Sequence, residues 1–229
     1  MKKIYSFVLL AATLLLSTNL WAEGNVAKVG ESEYATFDAA LQNWTDGTTL
    51  TILQNCEYTA TAAFEVKQNT TLDLNGQTLI WKTSAQQGLS AGEGINLTIQ
   101  DNSSANKGTF AFESTYAGTN AAAIYAAAKT TPSKLTIKNI NITANFCADG
   151  TKYIGNSVVY TEKSSAVNVD IEHTNFTITG LIQSAVILEN VAGIDAANDK
   201  LADISITYQK TDKKGYALSA FKINRPCTL

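Results

Sequence analysis

The sequence predicts an all-β chain. The expected form is a right-handed parallel β-helix, a solenoid of five or six coils, behind a short N-terminal capping helix. Three observations predict it: a composition poor in helix formers and charge, an apolar-x-apolar triplet recurring down the chain, and a second triplet marching in step with the first. Only 16% of the 229 residues are charged, against about 25% in ordinary globular chains. Thr (29) and Asn (19) fill the gap, while Pro is 2. Thr favours strands, Asn favours turns, and neither builds helices well. A helical bundle and a coiled coil are therefore excluded. A net charge of -3 excludes a nucleic-acid binder held by phosphate contacts, which needs a basic face. With 45% hydrophobic residues the chain is not a disordered tail.

Residues 1–22 read as a signal peptide. Met1-Lys2-Lys3 is a positive start, Ile4 to Leu16 is apolar, and Leu20-Trp21-Ala22 precedes Glu23. The apolar run is too short for a bilayer core of about 30 Å. Cleavage leaves 15 basic against 20 acidic groups. No later segment is apolar enough to span a membrane. The expected mature protein is exported: secreted, periplasmic or held at the cell surface. Cys56, Cys147 and Cys227 allow at most one internal disulfide, and none has a metal-ligand spacing.

Residues 23–46 are expected to form a strand and a capping helix. Val26-Ala-Lys-Val29 alternates like a strand. Thr36 is a good N-cap and Asp38 suits a first turn. Phe37, Ala40, Leu41 and Trp44 fall at i, i+3, i+4 and i+7, one apolar stripe that covers an open solenoid end. Trp44 belongs to that stripe, so core packing outweighs a role as a sugar platform.

Residues 47–229 carry the repeats. The first triplet is Leu50-Thr-Ile52, Leu72-Asp-Leu74, Leu97-Thr-Ile99, Leu135-Thr-Ile137, Val169-Asp-Ile171 and Ile204-Ser-Ile206. The second runs through Phe64, Leu89, Ile124, Val159, Val186 and Leu218. Each segment has the two-residue period of a strand buried on one face. A minimum repeat near 22 residues with loops of varying size fits coils that bury their inward faces only by stacking. Leu72, Leu97, Leu135, Val169 and Ile204 are expected to stack, with Asn75, Asn102, Asn139 and Asn175 laddering at a corner, where Asn tolerates unusual backbone angles. An antiparallel sandwich is the competing arrangement. Its hairpin signal, Asn-Gly between good strands on both sides, occurs only at Asn75-Gly76. No polar cap follows Tyr216–Ile223, so truncation of a longer repeat protein or self-association through an uncapped last coil is expected.

Val26-Ala-Lys-Val-Gly30, Glu33-Tyr-Ala-Thr-Phe-Asp-Ala-Ala-Leu41, Gly47-Thr-Thr-Leu-Thr-Ile-Leu53 and Asn69-Thr-Thr-Leu-Asp-Leu-Asn-Gly-Gln-Thr-Leu79 resemble the opening of exported bacterial proteins of the pectin-lyase-like β-helix family. The resemblance is close over 26–80 and rests on pattern over 81–223. It implies a fold; the family spans polysaccharide lyases, glycoside hydrolases, adhesins and other surface proteins. Its lyases resemble one another in calcium-binding Asp clusters and an Arg base. Its hydrolases carry Asn-Thr-Asp, Asp-Asp and Gly-His-Gly segments. Here Arg occurs once, at Arg225, and no two acidic residues are adjacent. No catalytic residue of the family carries over, so the catalytic residues are unknown.

Few residues invite chemistry. His173 is the only histidine, expected at a surface or corner. Glu162, Glu172, Glu189, Asp170 and Asp203 could approach across coils as a glycosidase pair, but a solenoid with twenty acids offers such pairs by chance. No cofactor and no metal is expected. If Ile124 and Val159 point inward, Tyr125 and Tyr160 point outward on adjacent coils, as a candidate carbohydrate-binding pair. The reading is a non-catalytic surface or secreted protein, adhesin-like or scaffold, whose partners are glycans or another surface protein. The alternative is a polysaccharide lyase or glycoside hydrolase with a divergent site.

Overall fold

The structure, a computed structural model, describes residues 24–146, 155–180, 182–189, 199–209, 219–225 and 227–228. Residues 1–22, expected as a signal peptide, and Cys147 and Ala217-Leu218 lie outside them. The chain is all-β. In order it forms β1 (Ala27–Val29), β2 (Ser32–Tyr34), helix α1 (Phe37–Gln42), β3 (Thr49–Ile52), β4 (Cys56–Ala60), β5 (Phe64–Val66) and β6 (Thr70–Asp73). Then come β7 (Thr78–Thr83), β8 (Gln87–Ala91), β9 (Asn96–Gln100), β10 (Thr109–Ser114), β11 (Ala122–Ala126) and β12 (Ser133–Lys138). The last are β13 (Asn141–Asn145), β14 (Ser157–Thr161), β15 (Val167–Thr179), β16 (Ser184–Leu188), β17 (Lys200–Tyr208) and β18 (Ser219–Ile223). Among the described residues no helix is long and apolar enough to cross a membrane.

Among the described residues every strand pairing is parallel except the two made by β1, which lies antiparallel to β2 and β3. Parallel strands need long crossovers, and most partners here are separated by 20–40 residues. One sheet has twelve strands and curls back on itself; the other runs β18-β16-β14-β11-β8-β5. The curl arises because β15 pairs with β12 through its first half and with β13 through its second.

The registers make three inward columns. Leu50, Leu72, Ile99, Ile137, Ile171 and Leu201 line up in the first. Cys56, Leu79, Phe110, Ile142, Phe176 and Ile206 form the second. Phe64, Leu89, Ile124, Val159, Val186 and Phe221 form the third. Most of these side chains are buried, and stacking is what buries them. Burial also pushes the Cys56 thiol up to about 12, so it packs as an inert small hydrophobe. Cys56 and Cys227 are free thiols.

Three expectations are corrected. Leu72 pairs with Ile99, two residues past the expected Leu97, and Ile204 lies beside Thr174 rather than continuing from Val169. The last rung of the second triplet centres on Phe221, in register with Val186, and not on Leu218. The left-handed corner residues are Asn75, Asn139, His173 and Asp203 (φ 48°, 54°, 49° and 51°). Asn102 instead donates to the Asp73 carboxylate at 2.8 Å, and Asn175 lies inside β15, donating to Asn141 Oδ1 at 3.0 Å. Asn75 and Asn139 also tie the corner together, donating their amides to the carbonyls of Ile52 and Asp101. The Asn75-Gly76 turn has both φ angles positive, as a hairpin would, yet β6 and β7 do not pair: the turn bends the chain from one ladder into another.

Helix α1 forms where the stripe predicts. Thr36 Oγ1 accepts from Ala39 N at 3.2 Å, and Phe37, Ala40 and Leu41 are buried.

Candidate functional site

The six-stranded sheet presents a second column on the face opposite its core. It runs Glu65, Ser90, Tyr125, Tyr160, Ile187 and Lys222, one residue per strand. A strand alternates its side chains, so burial of Ile124 and Val159 in the core sends Tyr125 and Tyr160 outward. The parallel register puts one tyrosine directly over the other. Their rings stack at a centroid distance of 5.9 Å and 10° between planes. Such a pair contributes about 0.5–1.5 kcal/mol beyond its area burial. Both rings are half-buried.

Polar groups frame the pair. Burial first, and then a hydrogen bond to the Glu162 carboxylate, raises the Tyr125 hydroxyl above its ordinary range. Tyr160 is raised by burial and by the charges of Glu189 and Glu162. Both hydroxyls therefore stay protonated at neutral pH and can donate. Thr161 pairs with Leu188, so Glu162 and Glu189 follow on successive strands. Glu189 N donates to Thr161 Oγ1 at 3.1 Å. The Glu189 carboxylate accepts from Lys222 Nζ at 2.6 Å and Asn224 Nδ2 at 2.7 Å. Burial opposes its ionisation, but these bonds win and hold its pKa below the usual value.

The other acids are elsewhere. Glu172 is paired with Lys200, Asp170 Oδ2 lies 3.8 Å from Lys134 Nζ, and Asp203 Oδ2 lies 2.6 Å from His173 Nδ1. All three pairs belong to the larger sheet. Of the five acids singled out, Glu162 and Glu189 follow neighbouring strands of the smaller sheet, and Asp170 and Glu172 share one face of β15 beside Lys200. Arg225 is buried and engaged by Asp199, whose carboxylate meets its Nε at 2.5 Å and an NH2 group at 2.9 Å. Asp199 Oδ1 also accepts from Val169 N at 2.7 Å. Among the described residues no three His, Cys, Asp or Glu side chains converge on a metal position.

Sequence reasoning missed Lys222 and Asn224, because the last rung was placed three residues too early. It also missed a cavity. Trp44 is half-buried against the core, as its stripe requires, but its ring also stacks on Phe64 (6.3 Å, 20°). The two line a cavity of about 180 Å³ with Glu65, Val66, Lys67, Gln68 and Thr70. The Trp44 indole N–H is shielded from solvent and finds no partner among the described residues. An unmade bond of that kind costs about 1–3 kcal/mol.

No protein-family model, curated protein or solved structure matches the chain.

Proposed function

We propose that the protein is an exported, non-catalytic parallel β-helix of the pectin-lyase-like kind, a surface or secreted scaffold that binds carbohydrate on the Tyr125/Tyr160 ledge. In this reading α1 is the cap of the first coil, and three strands make each coil. Support for the winding comes from the three inward columns, each advancing one residue per coil with no antiparallel step after β3. Support for export comes from the layout of residues 1–22.

One observation carries the binding reading: two tyrosines stacked in register on an outward column, with protonated hydroxyls and a carboxylate beside them. Aromatic faces suit the C–H faces of sugar rings, and the polar frame suits their hydroxyls. The ledge stops at Ile187, which is fully buried, and two half-buried rings bury little of a sugar, so affinity per site is weak and multivalency must supply avidity. The same groups are poorly suited to β-elimination. The tyrosines hold their protons too tightly to act as bases, and Arg225 is buried in its pair with Asp199.

The test is a glycan array and a polysaccharide pull-down with the protein and its Tyr160→Ala variant. The variant should fold normally, because an outward ring leaves no core cavity, and lose about tenfold or less in affinity. Equal binding by both proteins would remove the ledge from the reading. Turnover of uronic-acid polymers, followed by the ultraviolet absorbance of unsaturated products, would replace it with a lyase.

A further inference from the structure

We infer that the Trp44–Phe64 cavity is a second carbohydrate site, one that takes a single neutral hexopyranose ring. It does not rest on the tyrosine ledge, because its residues, its position and its evidence are separate. The cavity opens beside β5, the last strand at that edge of the six-stranded sheet among the described residues. Trp44 stacks its ring on Phe64 there.

Size decides the scale of the occupant. About 180 Å³ is room for roughly six waters, and it falls below the ~300 Å³ where pockets for larger ligands begin. One sugar ring or one small side chain fits, and an oligosaccharide does not.

Lining chemistry decides the class. One side is aromatic, from Trp44 and Phe64. The other offers an acceptor in Glu65, a donor in Lys67 and both in Gln68. A hexopyranose presents that same division, a patch of C–H groups ringed by hydroxyls. The Trp44 ring lines the cavity and its N–H is shielded and unpartnered among the described residues, so its resonance reports on what sits against that ring. Trp81 also has an unpartnered N–H, but it is sealed in the core and borders no described cavity. A quaternary ammonium would suit two aromatic rings, but Lys67 at the rim opposes a cation. Lys67 and Glu65 are paired loosely at 3.4 Å and are largely exposed, so both can turn to a ligand without disturbing the core.

The experiment is a titration of the 15N-labelled full chain, reading the indole N–H cross-peaks, with Trp44 assigned from its disappearance in Trp44→Phe. The probes are methyl β-glucopyranoside, methyl β-galactopyranoside, methyl α-mannopyranoside and tetramethylammonium. The Trp44 peak should move with at least one hexoside and saturate with a millimolar Kd, while the Trp81 peak stays still. Lys67→Ala should weaken that binding about threefold or more, consistent with one lost hydrogen bond. Tyr160→Ala should leave it unchanged even where it abolishes capture by polysaccharides. No shift with any hexoside up to about 100 mM, a hundredfold above a 1 mM Kd, overturns the inference. So does a shift with tetramethylammonium alone, or a shift that Tyr160→Ala removes. Because the parent protein is the first sample, failure of Trp44→Phe to fold still leaves the result readable through Lys67→Ala.

Discussion

The two ends of the stacked sheets are held by different chemistry. At the N-terminal end the core is an aromatic plug. Trp81 is fully buried, with Tyr58 at 4.6 Å, Phe64 at 6.1 Å, Phe110 at 6.2 Å and Phe37 of α1 at 6.3 Å between ring centroids. At the C-terminal end the inward residues Ile204, Ile206, Tyr208, Phe221 and Ile223 are only partly buried. Polar pins do the fastening there: Asp199–Arg225, Glu189–Lys222 and Glu172–Lys200. A rung with neighbours on both sides is buried by stacking, whereas an end rung must find other means. Apolar filling and ion pairing are the two means this chain uses, and they fail differently.

Removing Trp81 should give the largest effect. Trp81→Ala leaves a cavity that the four surrounding rings cannot collapse into, at a cost of about 3–5 kcal/mol. Ile206→Ala, partly buried at the last rung of the second column, should cost about 1 kcal/mol. Urea unfolding midpoints of the two variants measure the contrast. Equal losses would mean that the two ends are equally well packed.

Asp199→Ala comes next. Its buried guanidinium partner loses both hydrogen bonds, and Arg225 already has one buried NH group without a partner among the described residues. Losing one half of a buried pair costs about 3–5 kcal/mol; the lower figure is expected because a long Arg stem can carry its charge toward water. Asp199→Asn should cost less, because the amide oxygen still accepts. If Asp199→Ala melts with the parent, the pin at this end is decorative and the contrast between the ends fails.

Much of this contrast was legible in the sequence, though not all. Alternating apolar triplets disclosed which residues face inward, and the helix stripe placed Phe37, Ala40 and Leu41. Absolute register was not legible, for a physical reason. Leu97 and Ile99 are both apolar, so a slip of two residues keeps every face correct, and the pattern alone cannot choose between them. The corner was half legible. Asn75 and Asn139 were anticipated because Asn tolerates the left-handed region, but His173 and Asp203 occupy the same corner later in the chain. Both are enriched there less obviously than Asn. Tyr125 over Tyr160 was foreseeable from a 35-residue spacing. Lys222 and Asn224 were not, since Tyr216–Ile223 offers apolar residues in more than one alignment. The Trp44 cavity was hidden because an i+7 stripe reports burial and does not report what lies beside it.

The smallest effect sharpens the comparison at pH. Glu189 is mostly buried, and its folded pKa lies below the ordinary 4.5 because Lys222 and Asn224 outweigh the cost of burial. A carboxylate with a depressed folded pKa contributes stability that is fully present above its unfolded pKa and is lost as pH falls through the folded value. The parent should therefore lose stability below about pH 4.5, with the Glu189 share under about 1 kcal/mol because Lys222 is over a third exposed. Glu189→Gln should flatten that share of the profile while leaving the midpoint near pH 7 slightly lower. The N-terminal counterpart is Glu57–Lys82, a 2.7 Å pair across neighbouring strands with both side chains about 40% exposed. Glu57→Gln should leave the acid limb unchanged within error, because that end is held by rings that stay uncharged between pH 3 and pH 7. Urea midpoints between pH 3 and pH 7 for the parent and the two variants decide the matter. If both variants flatten the acid limb equally, charge fastens the two ends alike, and the aromatic plug fills space without setting how that end responds to acid.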